Sequence, residues 1–532
     1  MKKLLVTFLV LAFIFSSGCI EKKPNSVSNN TKTDSYLVYS TESLPEDLMQ
    51  LNTKNNDNSE LMLSLFEGLV KIDETGKIIP GLAESFIEGK DNITYTFNIR
   101  KNAKWSDGKN ITANDFVNFF KEILYSKQNN SYASELYCIF GAEDYNKAKK
   151  PFSGVAIRSV DDNTLEIRLN TPCKYFLQIL SQPIYTLRNF NSSLLSWQTD
   201  YNSISFTGPF TLQKVDEEGE ITLAKNQQYY DKESVKLDKF YINSISGNEN
   251  EMASFKTGKI NMFLNPPASE NRNLNINGEE EIVQIGNGYC LNFNLKKKSI
   301  AGNTSFRRAI SLSIDRESLT NEDLNNSARA AAVYVPSEGS DMVENSKENE
   351  FIKENKDLGL GKKLLTESKY EKNEKVKFAY LNNSENKKLA EAIVKDLKEG
   401  LNLNIDYKGY SKEDYETVLK NGDYNIALSN YKYNYDDPMS MLQNWLSISK
   451  LNIYGYNNTD YDSLINKARV EADNKKRLEL LEKGELLLIR DMPTIPICFQ
   501  NIVLCKKNNI KGVYITKEGY VKFDKAYIDT AK

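Results

Sequence analysis

Apolar residues recur along this chain at two spacings. In Thr94-Tyr95-Thr96-Phe97-Asn98-Ile99 they alternate with polar ones, the pattern of a strand with one buried face, and Trp105-Ser106-Asp107-Gly108 follows as a turn. The period then changes. Phe116, Phe119, Phe120 and Ile123 fall on one side of a helix, and Thr112 and Asp115 have the spacing of a capping box at its start. That stripe reads as core rather than as a ligand box.

The same contrast organises the second half. VKFAYL (376–381) predicts a strand. Ser384 caps a following helix with Leu389, Ile393 and Leu397 on one face, and Gly400 ends it. LNLNIDY then alternates as a second strand, so the three elements form a βαβ unit with a parallel pair and a right-handed crossover. Thr459 and Asp462 open another helix, and NKKRLELLEKGELLLIRD forms one more before Pro493. No internal repeat is present. The class is α/β with mixed sheets.

One stretch does not fit a core strand. In YKYNYDDPMSML, residues 431–442, Tyr431, Tyr433 and Tyr435 alternate, which places them on one face of a strand with Lys432 and Asn434 on the other. Asp436-Asp437-Pro438 ends that strand, because proline has no N–H for a ladder. Three phenols, an amide and two carboxylates suit a surface that recognises polar ligands.

Length and charge narrow the classes. A chain of 532 residues is too long for one core and predicts two or three domains. The formal net charge of −3, with no basic stripe, argues against nucleic acid as a partner. The chain has no histidine. That removes Ser-His-Asp and Cys-His triads, HExxH zinc sites and histidine pH switching. No phosphate loop or dinucleotide fingerprint occurs, and pairs such as Asp161-Asp162 and Glu217-Glu218 read as solvated turns. No catalytic residue, cofactor or metal site is expected.

The amino terminus carries its own signal. Lys2 and Lys3 precede the apolar run Leu4–Phe15, then Ser16-Ser17-Gly18-Cys19. The run has signal-peptide length and falls short of the roughly 20 residues that span a bilayer. Small residues before a cysteine resemble the bacterial lipobox, which implies cleavage before Cys19 and lipid on its sulfur. Residues 21–34 are mostly Lys, Asn, Ser and Thr with one proline, the composition of a flexible tether. Of the other cysteines, Cys138, Cys173, Cys290, Cys498 and Cys505, none forms CxxC, and buried thiols are expected. A turn at Asn501-Ile502 would bring Cys498 and Cys505 opposite one another and permit a disulfide.

Six phrases occur in order over nearly the whole mature chain: LFEGLVKIDETGKIIPGLAESF, YTFNIRKNAKWSDGKNITANDFV, TGPFTLQKV, SFKTGKINM, FRRAISLSIDRESL and DMPTIPI. Together they resemble the extracytoplasmic solute-binding proteins of family 5, the peptide-binding lipoproteins of ABC importers. YASEL (132–136) and GVAIRSVDDNTLEIRL (154–169) resemble the oligopeptide branch. The resemblance implies a two-lobed, periplasmic-binding-protein-like fold with a hinged cleft and an inserted domain. It divides the chain into a signal peptide (1–18), a lipid-anchored tether (19–34), lobe 1 (35–70, 206–288 and 491–532), an inserted smaller domain (71–205) and lobe 2 (289–490).

It also implies that residues 430–434 pair with an extended peptide by β-augmentation. Tyr431 stands where the family has Trp, and Asn434 where it has the Asp that neutralises a peptide's α-ammonium. Asn292 falls where an acid is common, and Leu428 where an arginine can meet a carboxylate. Asn265 matches a cleft asparagine. The implied ligand-binding residues are Tyr132, Asn265, Tyr289, Asn292, Tyr431, Lys432, Tyr433, Asn434 and Asp436. The implied partners are an oligopeptide, the permease subunits of an ABC transporter and, through the lipid, the outer face of the cytoplasmic membrane, with the protein a monomer. The alternatives are a binder of blocked, modified or signalling peptides or of another solute on the same fold, and a surface hydrolase or adhesin.

Overall fold

The computed structural model describes residues 35–51, 58–128, 130, 132–324, 327–336 and 350–530. The leader, Cys19 and the tether lie outside them.

Its backbone is an 11-stranded mixed sheet. Two long antiparallel strands, Glu280–Phe293 and Thr494–Lys506, run through its middle. On one side stand Ile426–Tyr431, Val376–Leu381 and Ile405–Tyr410. On the other stand Met262–Leu264, Leu37–Thr41, Lys239–Ser244, Ile221–Lys225 and Phe210–Val215. The long strands therefore belong to both halves, and each half buries its own apolar cluster. One gathers around Phe306, Phe378 and Ile393, the other around Leu37, Phe240 and Trp197. The ladder between the long strands slips between Gln284 and Gly288. An unpaired bulge there bends a strand locally, so the strand Glu280–Phe293 is irregular at residues 285–287.

A separate four-stranded sheet joins Ala83–Glu88, Thr94–Ile99, Thr164–Arg168 and Ile157–Asp161. The helix Ala113–Ile123 packs on it through Phe116, Phe119, Phe120 and Ile123, and the Thr112–Asp115 capping box is formed.

Local chemistry explains where the sequence expectations moved. Val376–Leu381 and Ile405–Tyr410 pair in parallel, joined by the helix Ser384–Leu401. Its cap is Asn383, whose side chain accepts the Asn386 amide, and not Ser384. Gly400 lies inside the helix, where an added Cβ would meet Leu358 Cδ2 at 2.7 Å, and Asn402 supplies the left-handed end at φ 55°. Asn458 rather than Thr459 caps Thr459–Val470. The helix Asn474–Asp491 is as expected. Asn501-Ile502 is not a turn: Cys498 and Cys505 lie on one continuous strand, paired with Tyr289 and Glu280, so they cannot bond to each other.

Two of the recurring phrases prove to be one structural unit. Arg307 donates to the carbonyls of Ala301, Asp491 and Met492, and Arg316, fully buried, donates to Ser311, Lys353 and Pro496. FRRAISLSIDRESL is thereby bolted to DMPTIPI, because a buried guanidinium needs an acceptor for each N–H.

Candidate functional site

The segment singled out in the sequence lies where the two lobes and the smaller sheet meet. Its strand is shorter than expected. Ile426–Tyr431 pairs with Gly288–Phe293 along its whole length, but with Val376–Leu381 only through Ile426, Ala427 and Leu428. The outer edge of Ser429, Asn430 and Tyr431 carries no strand among the described residues. Such an edge offers backbone donors and acceptors to another extended chain. Tyr415 covers the neighbouring carbonyl, its hydroxyl donating to Leu428 O at 2.7 Å.

Beyond Tyr431 the chain leaves the sheet, which corrects the expectation of one strand reaching Tyr435. The cause is the bulge opposite. Asn287 Oδ1 accepts the Tyr433 amide at 2.7 Å, so that N–H is satisfied outside any ladder. Gly286 makes room for the ring: a Cβ there would lie 2.4 Å from Tyr433 Cδ1. Gly288 does the same for Tyr431, whose hydroxyl would be 2.5 Å from such a Cβ. The Tyr431 ring meets Tyr334 at 5.8 Å and Phe499 at 6.1 Å, and its buried hydroxyl has no hydrogen-bond partner among the described residues.

Residues 433–437 then form a junction. Tyr433 Oη donates to Asp436 Oδ1 at 2.8 Å, while Asp436 Oδ2 lies 3.0 Å from Lys517 Nζ on the C-terminal segment. The Asn434 carbonyl accepts the Tyr520 hydroxyl at 3.2 Å. Tyr435 stacks on Tyr175, centroids 5.5 Å apart and planes 1° from parallel. Asp437 holds buried Arg477 through two bonds, and the same guanidinium lies 5.2 Å from the Tyr175 ring.

Two small crevices flank Tyr520, one lined by Gln50, Met62, Tyr132, Gln182 and Tyr520, the other by Glu67, Lys71, Thr186, Tyr520 and Lys522. Lys71 is held cationic, since Glu67 and Tyr230 outweigh the cost of its burial.

The expected residues thus divide. Tyr431, Tyr433, Asn434 and Asp436 come together at the junction, Lys432 is exposed beside them, and Tyr132 lines the adjoining crevice. Tyr289 is buried with its hydroxyl 3.4 Å from Gln500 Nε2. Asn292 lies within the sheet, accepting from the Cys290 thiol, and Leu428 is core between Leu291 and Tyr380. Asn265 accepts the Val503 amide at φ 51°, four residues along the strand from Phe499, which shares Gly288 with Tyr431. Sequence reasoning missed Tyr175, Asn287, Lys517 and Tyr520.

Comparison with known proteins agrees with this architecture. Residues 77–452 match the model of the bacterial extracellular solute-binding proteins, family 5 Middle. The chain is 30% identical to the dipeptide-binding protein DppE of Bacillus subtilis over 474 residues, covering 88% of this chain and 87% of that one. It is 31% identical to the oligopeptide-binding protein OppA of the same organism over 479 residues, covering 87% of each. Among solved structures, the substrate-binding domain of an oligopeptide ABC transporter from Bacillus anthracis superposes with a TM-score of 0.76 at 27% identity, over 92% of this chain and 98% of that one. A free sheet edge at the meeting of two lobes, strands shared between them and a match over most of the chain lead to one assignment: the chain belongs to the family 5 bacterial extracellular solute-binding proteins.

Proposed function

We propose that this protein is the substrate-binding lipoprotein of a peptide ABC importer. It captures extracellular oligopeptides between its lobes and delivers them to a membrane permease. The observation that carries this reading is the free edge of Ser429–Tyr431, with aromatic rings beside it and crevices on both sides of Tyr520. Backbone pairing along that edge gives affinity without reading side chains. The relatives support it: their names specify dipeptide and oligopeptide binding. The site performs binding rather than catalysis. Cys19 holds the monomer on the outer face of the membrane, through a lipid whose several chains suffice for stable attachment.

Native mass spectrometry of the purified protein tests this directly. Peptide masses that vanish after denaturation and dialysis, and return on adding a peptide mixture, are expected. Retention of a non-peptide solute, with no uptake from the mixture, would overturn the reading.

A further inference from the structure

We propose that Glu485, on the helix Asn474–Asp491 behind the site, is a positioning residue for peptide binding: its carboxylate fixes Tyr334, and Tyr334 fixes the Tyr431 end of the free edge. The inference rests on the peptide reading and names a determinant of affinity within it.

The free edge stands on aromatic side chains. Tyr431 meets the Tyr334 ring at 5.8 Å, and the Ser429 hydroxyl meets Tyr454 Oη at 3.2 Å. Both supports lean on one residue. Trp445 Nε1 donates to Tyr334 Oη at 2.6 Å, and the Trp445 ring stacks on Tyr454 with centroids 5.6 Å apart. Residues two apart on a strand share a face. Tyr334, Trp445 and Tyr454 therefore form one platform under both ends of Ser429–Tyr431.

Tyr334 itself lies outside any strand or helix. Ala328–Ala330 pairs with Thr494–Lys506, Ala331 donates to Ile497 O at 3.1 Å, and the chain then bends. Glu485 supplies what the ladder does not. It is 2% exposed, and its Oε1 accepts the amides of Tyr334 and Val335 at 2.9 and 2.8 Å. Two successive amides held by one oxygen fix the backbone that aims the Tyr334 ring. Leu481 and Leu488, one turn to either side of Glu485, are core, so burial of this helix face does not call for an acid. A buried carboxylate is costly, and this one is bonded to the segment that carries the platform. The helix is anchored at a second point. Eight residues earlier, about 12 Å along the axis, Arg477 Nη1 donates to Asp437 at 2.9 Å. One rigid helix thus holds both the platform and the segment that leaves the strand.

Calorimetry on wild type, Glu485→Leu, Glu485→Gln, Tyr334→Ala and the Glu485→Leu/Tyr334→Ala double variant tests this. The probes are alanine peptides of two to five residues, which engage the edge through their backbones. Glu485→Leu should weaken the tightest probe by about tenfold, the scale of a displaced hydrogen-bonding partner. Glutamine keeps an oxygen for both amides, so Glu485→Gln should recover most of that loss. Tyr334→Ala should lose at least as much as Glu485→Leu, and the double variant no more than Tyr334→Ala, because the carboxylate acts through the ring. If Glu485→Leu does not fold, Glu485→Asp, which withdraws the same oxygen by one methylene, carries the same expectation. Lower denaturation midpoints with unchanged affinity, full additivity with Tyr334→Ala, or a glutamine variant as weak as the leucine one would each overturn the role of Glu485 alone. Failure of every probe to bind wild type overturns the peptide reading and the role with it.

Discussion

Asp436 and Lys517, 81 positions apart in sequence, meet at 3.0 Å and join the segment after the strand Ile426–Tyr431 to the C-terminal segment. Both side chains keep about a third of their surface in solvent, so the pair is a weak clasp, worth below about 1 kcal/mol. The prediction is that the pair acts on the balance between closed and open lobes. Asp436→Asn should enlarge the radius of gyration of the ligand-free protein in solution scattering, and added salt should do the same to wild type. A wild-type profile insensitive to salt and identical to that of the variant would remove the clasp.

Gly286 tests the packing behind Tyr433. A methyl at this position would lie 2.4 Å from the ring, so Gly286→Ala should displace Tyr433, lower stability by about 1–3 kcal/mol and weaken peptide binding. Gly302, with nothing within 4 Å of an added Cβ, is the control and should tolerate alanine. Denaturant melts of both variants make the comparison.

Glu485 gives a pH prediction. Burial pushes it from 4.5 to about 7, although its Oε1 accepts the amides of Tyr334 and Val335 at 2.9 and 2.8 Å. The folded protein then holds a proton that the unfolded chain releases above about 4.5. Stability contributed by this group is present at low pH and is lost as pH rises through about 7, by roughly 1 kcal/mol per unit in that window. Glutamine keeps an oxygen for both amides and cannot ionise. Glu485→Gln should therefore gain on wild type between pH 5 and 8, and thermal melts across that range would show parallel curves if the reading is wrong.

Lipidation predicts fractionation. Cys19→Ala should move the protein from the membrane pellet to the soluble fraction. Retention in the pellet would mean that another feature anchors it.

Much of the fold was legible because it depends on local order. The Thr112–Asp115 box, the stripe from Phe116 to Ile123 and the βαβ unit at 376–410 follow from spacing alone. Caps slipped by one residue at Asn383 and Asn458, because asparagine and its serine or threonine neighbour offer equivalent oxygens and only backbone geometry chooses between them. The site was legible only in part. Period two cannot reveal that Asn287, 146 positions away from Tyr433, takes its amide and ends the ladder. Tyr435 finds its stacking partner Tyr175 on a distant segment, a relation with no trace in spacing.

The slipped ladder at residues 285–287 has a mechanical consequence. Asn287 grips Tyr433, Gly286 donates to the Lys517 carbonyl, and the two long strands pass through the same point. The irregular point of the long strand and the junction around Tyr433 therefore share atoms. If peptides seat at this junction, as proposed above, chemically different cargoes would be converted into one output, the angle between the two lobes. A permease that gauges the angle can carry many cargoes without inspecting any of them.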